Sequence, residues 1–112
     1  MPTYRYSLIV PLCYNDGEQI SLSVINVIED HVAHLAGGFT RTDGTGAWRG
    51  PYAGDGTYRE PVRVYAFDVT PRSKYEAAQI LIDARWVAAY VRDVCKQKCV
   101  YLTRHELDTW EV

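Results

Sequence analysis

Apolar and polar residues alternate from Thr3 to Leu12: Tyr4, Tyr6, Leu8, Val10 and Leu12 share one face, while Arg5, Ser7 and Ile9 share the other. This is the pattern of a strand with one committed core face, weakened at its end by Pro11 and followed by a turn at Asn15-Asp16-Gly17. From Ser21 to Ala36 the period changes to that of a helix, with Val24, Ile28, Val32 and Leu35 on a stripe widened by Leu22, Ile25 and Ala36. Ser21 stands at the N-cap position, and Gly37 where a left-handed residue would stop the helix.

Residues 38–49 read as a second strand, broken by Asp43-Gly44 and Gly46 into a bulged or kinked edge. Gly50 to Thr57 read as a long hairpin connection. Residues 61–69, PVRVYAFDV, are rich in β-branched and aromatic residues on both faces, which predicts a central strand covered on both sides. Thr70-Pro71 and the Ser73-x-x-Glu76 capping box then start a second helix, expected to run from about Lys74 to Lys96.

That helix carries two apolar stripes, Tyr75, Ala78, Ile82, Trp86 and Ala89 on one side and Leu81, Ala84, Ala88, Val91 and Cys95 on the other. One stripe suits the sheet and the other suits the first helix. Residues 99–104 form the last strand, and the tail from His105 to Val112, with Trp110, reads as an edge strand or an arm across a partner subunit.

The order strand, helix, strand, strand, helix, strand predicts an α+β, ferredoxin-like βαββαβ domain over residues 1–112, with an antiparallel sheet and two helices on one face. The other face would receive Tyr65, Phe67 and Val69 or their alternates. Apolar residues exposed on a sheet mark an interface, so we expect a homodimer through the open face.

With 112 residues the chain accommodates one core, and 47% hydrophobic and 23% charged residues exclude a disordered chain. A net charge of -2 and no cationic run argue against duplex nucleic acid as a partner. No apolar run is long enough to span a bilayer and no signal-peptide pattern is visible, so a cytoplasmic location is the expectation. Three cysteines, Cys13, Cys95 and Cys99, lack C-x-x-C spacing and read as reduced, packed thiols, with a Cys95/Cys99 switch as the alternative.

Candidate chemistry concentrates between Gly37 and Glu60, which holds seven of the eight glycines. Turns and caps account for most of those. The side chains that turn chemistry leaves over are Arg41, Trp48, Arg49, Tyr52, Tyr58 and Arg59, a set of flat faces and cationic forks suited to a flat, anionic small molecule. DGTG at Asp43–Gly46 lacks the spacing and the Lys-Ser/Thr of a phosphate loop, and an anion nest beside Arg41 or Arg49 is its functional reading. His31 and His34 lie three apart on the first helix, a spacing that metal ligands use and that could supply an acid/base, but no partner stands at a diagnostic distance. Asp16, Glu18, Glu29 and Asp30 read as solvated carboxylates. The sequence asks for no cofactor and no metal.

GGFT at Gly37–Thr40, GTGAW at Gly44–Trp48, Tyr58-x-Glu60 and QKCVYLT at Gln97–Thr103 resemble a group of small phage and bacterial proteins of the same element order. The resemblance implies a ferredoxin-like fold and a phage origin, where small proteins that sequester host nucleotide signals are one class of activity. It carries over no catalytic residue. The leading reading is therefore a non-catalytic, homo-oligomeric protein sequestering a small anionic, nucleotide-type signal, as in phage anti-defence. The alternatives are an enzyme of the dimeric α+β barrel type using His31 or His34, and a protein-interaction module.

Overall fold

Strand β1, Thr3–Pro11, lies in the middle of the molecule because its even-numbered residues have no polar alternative: Tyr6, Leu8 and Val10 are all buried. A computed structural model describes residues 2–50, 54 and 56–112. Its elements are β1, helix α1 at Leu22–Ala36, β2 at Thr40–Arg49, β3 at Thr57–Val69, α2 at Lys74–Val94 and β4 at Leu102–Leu107. They form a four-stranded antiparallel sheet in the order β2-β3-β1-β4, with β2 and β4 at its edges. This is the ferredoxin-like α+β arrangement.

Register decides which residues share a face. Tyr4, Tyr6 and Leu8 stand opposite Val69, Phe67 and Tyr65, so those three β3 residues lie on the face that the helices cover. Tyr6 and Phe67 stack there with centroids 5.4 Å apart. The open face instead receives the alternates Val64, Ala66 and Asp68, opposite Ile9, Ser7 and Arg5. The expectation of a strand covered on both sides is therefore corrected, since only one face of β3 has helices against it.

The helices begin and end where local chemistry directs. The Ser21 hydroxyl accepts from the Val24 N–H and the Ser73 hydroxyl from the Glu76 N–H, while Gly37 adopts the left-handed conformation (φ 77°) and donates to Ala33. Of the two α2 stripes, Ala84, Ala88, Val91 and Cys95 are buried, whereas Tyr75, Ile82 and Trp86 are exposed.

Three boundaries differ from the sequence reading. β2 is unbroken, paired with β3 from Thr40 opposite Ala66 to Arg49 opposite Thr57, because Gly44 and Gly46 take extended rather than left-handed backbone. β3 starts at Thr57, inside the stretch expected to be hairpin connection, since Tyr58 and Arg59 complete that ladder. β4 starts later, at Leu102, because Lys96 turns left-handed (φ 54°) and Gln97 anchors a loop through the Cys95 carbonyl and Asn15. No helix among the described residues is long and apolar enough to cross a membrane.

Candidate functional site

The β2–β3 hairpin is longer than the helices can cover, so its far end has two accessible faces. Pairing of Trp48 with Tyr58, Gly46 with Glu60 and Gly44 with Val62 places these residues on the open face. Pairing of Arg41 with Tyr65, Asp43 with Arg63, Ala47 with Arg59 and Arg49 with Thr57 places the others on the helix side. Five of the six side chains singled out in the sequence are thus divided by the sheet. Trp48 and Tyr58 sit together, and Arg41, Arg49 and Arg59 lie behind them. Tyr52 lies outside the described residues.

On the open face, Trp48 (48% exposed) lies back over Gly46. A Cβ at Gly46 would come within 2.9 Å of Trp48 Cζ3 and 3.2 Å of Val62 Cγ1, so the missing side chain is what lets the indole lie against the sheet. The ring covers Val62 and leaves its outer side toward solvent. Tyr58, 52% exposed, stands directly across from it. The next residue on this face is Glu60, half-buried and pushed above the ordinary carboxylate range by that burial. Glu60 forms no ion pair and no side-chain hydrogen bond with the described residues. An aromatic pair beside a half-buried carboxylate with no cation on it among the described residues is complementary to a positively charged, flat ligand.

On the helix side of the same hairpin, the charged residues nearest α1 are occupied with one another, while Arg49 and Arg59 farther out are exposed. Glu29 on α1 accepts 2.7 Å hydrogen bonds at Oε2 from both the Tyr65 hydroxyl and Arg41 Nη1, and Arg63 Nη1 is 3.5 Å from the same oxygen. Arg63 in turn grips Asp43 through two hydrogen bonds, at 2.6 and 3.0 Å. Burial opposes ionisation of Glu29, but the Tyr65 and Arg41 hydrogen bonds and the charges of both arginines outweigh it and hold the carboxyl below its usual range. Burial, and then the Glu29 carboxylate, push the Tyr65 hydroxyl far above the ordinary phenol range. Arg41 is thus a partner of α1, and Asp43 is held by an arginine instead of opening an anion nest.

The histidines are placed apart from this hairpin face. His31 packs edge-on against Trp86 and Tyr90, at 5.2 and 5.0 Å between centroids, where α1 meets α2. His34 is exposed in the last turn of α1. No third ligand joins them among the described residues.

The sequence reading gives Glu60 no role and takes Glu29 as a solvated carboxylate. The parity of Glu60 with Val62, Val64 and Ala66 was the available signal for the first. For the second it was the position of Glu29 four residues after Ile25 and three before Val32, both buried, which puts it at the margin of the core-facing stripe.

No protein-family model and no curated protein sequence matches the chain. Solved structures with the same fold do. A phage SAM lyase in complex with S-methyl-5′-thioadenosine superposes with a TM-score of 0.67 at 12% identity, over 94% of this chain and 81% of that one. A phage SAM lyase in its apo state gives 0.65 at 16% identity, over 92% and 79%. A Bacillus cereus protein related to NIF3 gives 0.57 at 14% identity, over 96% of this chain but 26% of that protein. At these identities the likeness is one of fold.

Proposed function

We propose that this protein binds a small adenosyl-type molecule carrying a cationic centre at the open-face end of the β2–β3 hairpin. Trp48 and Tyr58 stack on the flat group, and Glu60 faces the positive charge. The observation that carries this reading is the Trp48–Tyr58 cross-strand pair beside a half-buried Glu60 with no cation among the described residues. The shared fold with a solved lyase that holds S-methyl-5′-thioadenosine supports the adenosyl class, because SAM is a sulfonium and that thioether is its neutral remainder. The flat, nucleoside-like ligand expected from the sequence is retained. Its charge is reversed, because the arginines lie on the other side of the sheet.

A platform on a sheet offers one wall, and a binding site requires enclosure. Ile9, Val64 and Ala66 continue the open face as an apolar surface. Association of copies through that face supplies the second wall, so the proposed site belongs to a homo-oligomer.

Once bound, the ligand has two fates open to it. Sequestration without turnover is the first, and it fits a phage protein that removes a signal or a cofactor from its host. Cleavage is the second. In cleavage, the carboxylate on the ligand's own amino-acid arm attacks the carbon next to the sulfonium, so that a C–O bond forms as the C–S bond breaks and its electron pair leaves on sulfur as the neutral thioether. No proton is transferred, and the described residues need only bind and orient the ligand for it. Incubation with S-adenosylmethionine and a panel of nucleotides, with release by cold acid and chromatography afterwards, separates the outcomes. Intact ligand recovered after depletion means sequestration, and a thioether product means cleavage. Absence of depletion in wild type, or undiminished depletion by Trp48→Ala, removes the proposal.

A further inference from the structure

On the helix side of the sheet, at the edge opposite the hairpin, a groove of about 690 Å³ runs between α2 and β4. Its floor is apolar, with Leu81, Ala88 and Val100, and its rim carries Arg85, Arg92, Lys98 and Arg104. Four of the twelve Lys and Arg in a chain of net charge -2 therefore meet in one concavity, and no carboxylate among the described residues lines it. Arg85 and Lys98 form no ion pair among the described residues. Arg104 is held over the Tyr4 ring, 4.9 Å from its centroid, and the Arg92 guanidinium bonds its neighbour Asp93 at 3.0 Å. Trp86, 57% exposed, supplies a flat wall.

We infer that this groove is a second ligand site, for a nucleotide bearing two or more phosphate charges. A concavity lined by one sign of charge focuses its field and raises the local concentration of counter-ions. Four cations need more than one negative charge to balance them, and arginine forks match phosphate oxygens. The Trp86 wall and apolar floor accept a base, which inorganic polyphosphate lacks. The volume falls within the range of small-molecule sites. This inference stands apart from the hairpin proposal: it uses the other face, the other edge and the opposite charge.

Titration calorimetry with ATP, adenosine and inorganic triphosphate tests it on the full chain. ATP should bind the wild type, the Arg85→Glu/Lys98→Glu variant should bind it at least tenfold more weakly, and Trp86→Ala should weaken ATP more than triphosphate. Raising the salt from low to high on the unaltered protein should weaken ATP binding as well, a readout that survives if a variant fails to fold. Equal affinity for adenosine and ATP, or ATP affinity insensitive to both salt and charge reversal, overturns the inference. So does a native mass that falls, with a gain in ATP affinity, on Asp108→Lys/Glu111→Lys, because the groove would then hold the acidic tail of a second copy.

Discussion

The hydroxyl of Tyr65 donates a 2.7 Å hydrogen bond to Glu29 Oε2, tying the central strand β3 to helix α1 at the point where the core ends and the exposed hairpin begins. The bond is partly shielded, and the carboxylate also draws in Arg41 and Arg63. Removing its two ends should therefore cost different amounts. Tyr65→Phe leaves Glu29 with both arginines and should cost about 1–2 kcal/mol, whereas Glu29→Ala strands the Tyr65 hydroxyl and should cost about 2–3 kcal/mol. Thermal denaturation reads this as a drop of roughly 5 °C per kcal/mol for a domain of this size. No loss in Tyr65→Phe would mean that the hydroxyl contributes nothing beyond the packing of its ring.

Acid should weaken the fold through Glu29, Asp43 and Asp68. Glu29 is held low against its own burial by Tyr65 and its arginines, Asp43 by the Arg63 hydrogen bond, and Asp68 by the Arg5 hydrogen bond. Unfolded, these groups titrate near pH 4, so their stabilisation is complete above about pH 5 and is lost as pH falls through the lowered folded values. Urea midpoints should accordingly drop between about pH 5 and 3, with a shallower slope in Arg63→Met.

Glu60 works in the opposite direction. Burial raises its folded pKa, so its contribution is present below the unfolded value and is lost as pH rises through the folded one. Glu60→Gln should therefore be more stable than wild type at pH 7 and no different at pH 3, while binding ligand less well. A carboxylate that costs stability and serves binding is the signature expected of a functional group. A destabilised Glu60→Gln at pH 7 would assign Glu60 to the fold instead.

Gly46→Ala should disturb the site without unfolding the chain. The new Cβ meets the far end of Trp48 and a Val62 methyl, so the indole must lift, at about 1 kcal/mol. Trp48 emission should shift to the red and ligand affinity should fall. An unchanged spectrum would rule out the position of the ring over Gly46.

Thiol reactivity should separate Cys99 from Cys95. Burial pushes the Cys95 thiol up to about 11, and Cys99 is exposed at the groove. Cys99 should react with a maleimide first in native protein, and Cys95 only on unfolding. Co-oxidation of the two under mild oxidant would restore the switch reading.

The fold was legible because it rests on local signals: the period change between β1 and α1, the Ser21, Gly37 and Ser73 caps, and the density of β3. What the sequence hid is register. Alternation alone does not say which side of β3 the helices take: it allows Tyr65, Phe67 and Val69 or their alternates on the open face, and only the register puts Val64, Ala66 and Asp68 there. The same blindness joined Trp48 to Arg49 and Tyr58 to Arg59, neighbours in sequence that the sheet separates. Gly46 read as a break, although its purpose emerges only when Trp48 lies over it. The groove of Arg85, Trp86, Lys98 and Arg104 joins α2 to β4 across residues that no short motif spans.

If Glu60 reads a positive charge on an adenosyl ligand, removing its charge should matter for a sulfonium and not for a thioether. Calorimetric titration of S-adenosylmethionine and of neutral S-methyl-5′-thioadenosine into wild type and Glu60→Gln decides this. Glu60→Gln should weaken the sulfonium at least tenfold and leave the thioether within about twofold, a difference of about 1 kcal/mol or more at the carboxylate. Equal weakening of both ligands, or no binding of either to the wild type, would refute that role for Glu60.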